Sequence, residues 1–162
     1  MIAAYVGIGA NQGDARAQVL QAFDELARLP QTRLAARSAL YRSAPVDAPG
    51  QPDYVNAVAG VDTDLSPAQL LAALQDIEAR HGRVRPYRNA PRTLDLDLLL
   101  YGDLVLASPE LTLPHPRMHE RAFVLAPLLE LDPHAEVPGR GGARALMARC
   151  AGQRLERMAD TP

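Results

Sequence analysis

The sequence predicts an α+β fold: a ferredoxin-like antiparallel sheet with a βαββαβ core, both helices on one face, and C-terminal additions. Two observations carry this. Hydrophobic spacing runs in the order strand, helix, strand, strand, helix, strand between residue 2 and residue 101. Each helical segment also opens on a capping residue and closes on a proline or a glycine. The 162 residues suit one domain, 1–162, with a sizeable core.

"IAAYVGIG" (2–9) is apolar and β-prone, and forms the first strand. "DARAQVLQAFDELARLP" follows as a helix: Asp14 can cap it, Leu20, Phe23, Leu26 and Leu29 keep helical spacing, and Pro30 helps end it. "TRLAARSALYRS" (32–43) is strand-like, and "APVDAPGQPD" is a proline-rich loop long enough to cover a site. In "YVNAVAGVDT" (54–63), Val55, Ala57, Ala59 and Val61 share one face, with Tyr54 and Asn56 on the other. The second helix opens on Ser66 and Pro67, closes on Gly82, and carries Leu70, Leu71, Leu74 and Ile77 as its apolar stripe. "YGDLVLASPELTLPHP" reads as a tight turn and short hairpin, "ERAFVLAPLLEL" as a helix, and the last stretch from Pro138 as Gly-rich and then helical. With the helices on one side, the other side of the sheet is left to loops, where a ligand could lie.

Composition narrows the function. Hydrophobic residues at 48% and charged residues at 22% describe a folded chain rather than a disordered one. A net charge of −2 gives no general pull toward nucleic acid or anionic membranes. No apolar run reaches the ~18–20 residues of a membrane span, and the start lacks the basic region of a secretory signal. Cys150 is the one cysteine, so an internal disulfide and a cysteine-held zinc are both excluded, and a reducing cytoplasm is expected. All 17 basic residues are arginine. Without lysine there is neither a Schiff base nor a Walker A loop.

The chemistry concentrates in "PRTLDLDLLLYG" (91–102). Alternation places Leu94, Leu96, Leu98 and Leu100 on one face, with Asp95, Asp97, Leu99 and Tyr101 on the other. The two carboxylates then point the same way with Cα atoms roughly 6.5–7 Å apart. Two such charges about 6 Å apart repel by roughly 3 kcal/mol at an effective dielectric of ~20, so a cation or arginines should sit between them. Arg80, Arg83, Arg85, Arg88 and Arg92 precede them with no acidic residue among them. A basic loop feeding paired carboxylates can hold Mg²⁺ and a polyphosphate together. The blander readings are a solvated acidic strand face and a basic edge with internal Arg–Asp pairs. "LPHPRMHERAF" adds His115, Arg117, His119 and Arg121; the His pair lacks a third zinc ligand, and His115 and Arg121 fit better as phosphate or ribose contacts. "GIGANQG" is one residue too long for a dinucleotide fingerprint and reads as a strand-to-helix turn in which Asn11 can take positive φ.

On "RNAPRTLDLDLL" (88–99), together with "YRSAPVDAPGQPDYVNAV", "GRVR" and "LTLPHPRMHERAF" in that order, the chain resembles the 6-hydroxymethyl-7,8-dihydropterin pyrophosphokinases of folate biosynthesis. The resemblance covers residues 2 to about 131. It implies transfer of pyrophosphate from ATP to the pterin's hydroxymethyl group, release of AMP, and two Mg²⁺ ions held by Asp95 and Asp97. By similarity Arg83, Arg85 and Arg92 hold the phosphates, with Arg83 and Arg92 joining the aspartates in catalysis. Gln75, Glu78, Thr112, His115 and Arg121 would meet ATP, as would Leu98 through its backbone. Ser43, Ala44, Val46, Tyr54, Asn56, Asp95 and Phe123 would meet the pterin, with Tyr54 and Phe123 sandwiching its ring. The resemblance further implies a monomer whose partners are small molecules, neither nucleic acid nor membrane. The chain departs from the family pattern at Asn89–Ala90, where many members have Trp-Gly; Tyr87 is the candidate to replace that tryptophan in lid closure. Glu110 and Pro116 also stand where some members have ATP-contacting residues. Read from the residues without the family, a ferredoxin-like small-molecule sensor and a two-metal phosphoesterase remain as alternatives.

Overall fold

A computed structural model describes residues 1–45, 50, 52–82 and 94–159. Its main sheet contains β1 (Ile2–Ala10), β2 (Thr32–Arg37), β3 (Tyr41–Ser43), β4 (Tyr54–Thr63), β5 (Asp95–Tyr101) and β10 (Leu155–Arg157). β1 lies between β4 and β5, antiparallel to both. β2 and β3 pair with successive halves of β4, and β10 pairs with β3 at the edge. Merging β2 and β3 into one interrupted strand gives the ferredoxin-like arrangement the element order predicts.

The interruption is held from a distance. Ser38 Oγ accepts from the Val58 N–H at 2.9 Å. Ala39 N–H and the Tyr41 hydroxyl both donate to the Glu130 carboxylate, at 2.9 and 2.8 Å. The expected single strand over 32–43 is therefore two strands, because its middle bonds to a helix some ninety residues away, beyond the reach of local propensity.

Helix α1 (Ala15–Ala27) is capped by Asp14, whose carboxylate accepts from Ala17 N–H at 3.1 Å. The left-handed residue of the preceding turn is Gly13, at φ 58°; Asn11 is buried, with its amide toward the Pro52 carbonyl. Helix α2 (Pro67–His81) opens on a capping box, Ser66 with Gln69, and ends at Gly82. Phe23 and Leu26 of α1 and Leu70, Leu74 and Ile77 of α2 pack on the alternate residues Val55, Ala57, Ala59 and Val61 of β4 and on Leu94, Leu96 and Leu98.

The opposite sheet face is not left to loops. Helices α3 (Ala122–Leu131) and α4 (Ala143–Ala148) cover part of it, burying Leu125, Leu128 and Leu146 against Val58, Leu99 and Leu100. The expected face assignment fails at the end of β5. Tyr5 pairs with Leu100 and Val6 with Leu98, so Leu99 is an extra residue and the strand bulges. Beyond the bulge the faces exchange: Leu100 joins the second cluster, and Tyr101 packs on the first. Short ladders β6–β7 (Leu106–Ala107, Thr112–Leu113) and β8–β9 (Glu136–Val137, Gly141–Gly142) decorate the C-terminal half. The expected terminal helix is confined to α4, and the chain then extends into β10.

Candidate active site

The part of that second face left open by α3 and α4 holds a cavity of about 700 Å³. Its floor is set by register. Across the sheet, Tyr41, Asn56, Gly9 and Asp95 stand in one rank, and Val58, Gly7 and Asp97 in the next. A Cβ on Gly9 would meet Asn56 Oδ1 at 3.4 Å, and one on Gly7 would meet the Leu99 side chain at 3.4 Å. The two glycines thus leave a flat strip of backbone between an amide on one side and two carboxylates on the other.

Asn56 is buried and donates from Nδ2 to Ser43 Oγ at 2.7 Å. That bond fixes the amide's orientation and leaves Oδ1 beside the Gly9 backbone, able to accept from a ligand N–H. Tyr54 from β4 and Phe123 from the first turn of α3 contribute aromatic surface, and the Arg121 guanidinium lies 5.5 Å from the Phe123 ring centroid. Ser43, Ala44 and Pro45 line the β3 side.

Asp95 and Asp97 both line the cavity, as alternation requires. Asp97 is about half exposed, and its Oδ2 is 3.9 Å from His115 Nε2. His115 Nδ1 accepts from the Arg117 N–H at 3.1 Å, so the proton of the neutral ring sits on Nε2 and faces Asp97. Burial depresses the His115 pKa, and the Arg121 and Arg117 charges depress it further; Asp97 opposes them. His115 is placed by its own N–H, which donates to the Leu99 carbonyl at the β5 bulge.

Among the described residues no group of three or more His, Cys, Asp or Glu side chains is placed to hold a metal. Two aligned carboxylates fit Mg²⁺, which takes one or two protein oxygens and completes its shell with phosphate and water. They do not fit a closed zinc site.

The cavity gathers Ser43, Ala44, Tyr54, Asn56, Asp95, Asp97, Arg121 and Phe123 of the expected residues. Leu98 lies on the opposite sheet face, its side chain in the core beneath the helices. Gln75 and Thr112 are exposed and outside the cavity lining. Glu78 is also outside the lining and accepts from the Leu96 N–H at 2.9 Å, tethering α2 to the strand between the aspartates. Val46, Arg83, Arg85, Tyr87 and Arg92 lie outside the described residues. Gly7, Gly9, Arg117, Glu120 and Gln153 line the cavity without having been expected there. The glycines carried a signal, because their odd numbering puts them on the face opposite Val6 and Ile8.

Residues 5–133 match the model of the 7,8-dihydro-6-hydroxymethylpterin-pyrophosphokinase (HPPK) family. The chain belongs to this family. It is 47% identical over 154 residues to a Pseudomonas aeruginosa 2-amino-4-hydroxy-6-hydroxymethyldihydropteridine pyrophosphokinase, covering 95% of each chain. A Haemophilus influenzae protein of the same name is 45% identical over 138 residues, covering 85% of this chain and 86% of its own. The fold resembles that of Plasmodium falciparum HPPK-DHPS solved with SDX-DHP, with TM-score 0.68 and 13% identity, over 92% of this chain and 43% of that one. As an HPPK, the chain is an ATP-dependent pyrophosphokinase that acts on hydroxymethyldihydropterin in folate synthesis.

Proposed function

We propose that the cavity takes the pterin on the Gly7–Gly9 strip, between Tyr54 and Phe123, with its hydroxymethyl group turned toward Asp95. The single observation behind this is the rank in which Asn56, Gly9 and Asp95 stand side by side across three strands. An amide at one edge can read a ring's hydrogen-bonding groups. A floor without side chains admits a flat ring. Carboxylates at the far edge meet the reacting oxygen. Offset stacking on the two aromatic rings contributes about 1 kcal/mol per contact.

Asp95 and Asp97 would hold two Mg²⁺ ions, which when bound neutralise the triphosphate and polarise its phosphorus. The protein's own groups do the rest by positioning. Arg121, which lines the cavity, and His115, outside the lining but with its Nε2–H toward Asp97, would donate to phosphate oxygens. Arg83, Arg85 and Arg92 would add guanidinium contacts, with Gln75, Glu78, Thr112 and the Leu98 backbone on the nucleotide. Ser43, Ala44 and Val46 border the pterin. The hydroxymethyl oxygen gives up its proton to water and bonds to the β-phosphorus, the bond from that phosphorus to the α,β-bridging oxygen breaks, and AMP leaves with the electron pair. No side chain becomes a nucleophile.

In this reading residues 1–162 form one pterin pyrophosphokinase domain that works in the cytoplasm as a monomer. Protein, ATP, Mg²⁺ and 6-hydroxymethyl-7,8-dihydropterin together should give AMP only when the pterin is present. Phosphate release without pterin would indicate a phosphoesterase, and pterin binding without ATP consumption a sensor.

A further inference from the structure

The family match ends at residue 133, yet a later residue borders the cavity. The turn after α4 closes with Gln153 N–H donating to the Cys150 carbonyl at 2.9 Å. The chain then enters β10, where Leu155 pairs with Ser43. Gln153 is therefore held from both sides, by a turn anchored on buried Cys150 and by a strand bonded to the β3 wall of the cavity.

Its side chain reaches the start of α3. Gln153 Oε1 accepts from the Ala122 N–H at 2.9 Å, and Nε2 donates to the Glu120 carbonyl at 2.6 Å. Both partners are backbone groups of fixed polarity, so the amide orientation is unambiguous. Helix N-termini leave N–H groups without intrahelical partners, and Arg121, at the N-cap, makes no side-chain cap bond of its own. Gln153 thus supplies the missing cap to the turn that carries Arg121 and Phe123.

We propose that Gln153 is a positioning residue for pterin binding: by bridging the Glu120 carbonyl and the Ala122 amide, it holds Arg121 and Phe123 against the ring site. The inference rests on the pterin reading of the cavity. Each polar atom of the Gln153 amide is held by a backbone group, so its orientation is set by α3, and its effect on the ring site is exerted through that turn. The C-terminal segment thereby acquires a role, since β10 and the turn before it tie the β3 wall to the α3 wall and set the width of the slot between them.

The test uses the full chain with saturating Mg²⁺ and a non-hydrolysable ATP analogue, and measures the Kd of 6-hydroxymethyl-7,8-dihydropterin by calorimetry. Gln153→Leu removes two partly exposed hydrogen bonds and should weaken pterin binding about threefold to tenfold. Affinity for the ATP analogue, to which Arg121 is one contact among several, should fall clearly less than affinity for the pterin. Gln153→Glu keeps the acceptor for Ala122 but faces a carbonyl with a carboxylate at about pH 8; protonation restores a donor, so its pterin Kd should move toward wild type as pH falls through the carboxyl range, toward about 4. If Gln153→Leu does not fold, Gln153→Glu decides alone. The proposal falls if pterin binding is unchanged in these variants, if both ligands weaken equally, or if the Glu variant's ratio to wild type is flat with pH. Failure of the wild type to bind pterin would instead overturn the cavity reading itself.

Discussion

Glu78 offers a sharp test of how the aspartates are held. Among the described residues β5 is an edge strand, with no neighbouring strand on its outer side. Glu78 accepts from the Leu96 N–H at 2.9 Å, and Leu96 sits between Asp95 and Asp97. A hydrogen bond to a charged acceptor contributes about 1.5–3 kcal/mol when buried. Partial exposure of this one reduces that to about 1–2 kcal/mol. For a chain of this size, Glu78→Ala should then lower Tm by about 3–6 °C. Glu78→Gln keeps an acceptor and should lose less, under about 1 kcal/mol. The specific readout is hydrogen exchange at Leu96. If its opening becomes easier by the same amount, the amide should exchange about tenfold faster in Glu78→Ala. The Mg²⁺ needed for half-maximal activity should rise with it. Unchanged Leu96 exchange together with a Tm within about 1 °C of wild type would refute the tether.

Asp97→Ala should reduce kcat below about a tenth of wild type, a loss of more than ~1.4 kcal/mol, as measured by AMP release. Phe123→Ala should weaken pterin binding more than binding of an ATP analogue; equal losses would assign the ring to packing. Tyr41 is buried and bonded to Glu130; burial, then that bond and the Glu130 charge, push its pKa up to about 12 from 10.0, against the pull of Arg157. The folded state therefore keeps the phenol proton longer than the unfolded state. The linked stability is complete below pH 10 and lost as pH rises toward about 12. Tyr41→Phe should remove that loss, together with the matching step in tyrosinate absorbance.

Much of this was legible in the residues. Ser66, Pro67 and Gly82 mark α2 through local capping chemistry, and the alternation of 54–63 separates Tyr54 and Asn56 from the core. Asp95 and Asp97 stand out because two carboxylates on one face of a strand that buries leucines on the other must face either solvent or a cation. What stayed hidden depends on distant partners. The break at Ser38 is made by Val58 and Glu130, and β10 forms only because β3 presents a free edge. The bulge at Leu99 is likewise invisible in a run of leucines, since every residue there is apolar. Gln153 has no local pattern at all; its partners are backbone atoms more than thirty residues earlier.

The extra residue at Leu99 has a further result for the molecule's design. It lets Asp97 and Leu100, three apart in sequence, emerge on the same surface. The acids and the greasy seat on which α3 rests therefore occupy one short run of backbone. The aromatic wall takes its placement from the very strand that presents the acids. Were Leu99 paired in the ladder instead of bulged out, Leu100 would turn to the far surface of the sheet and α3 would lose that seat.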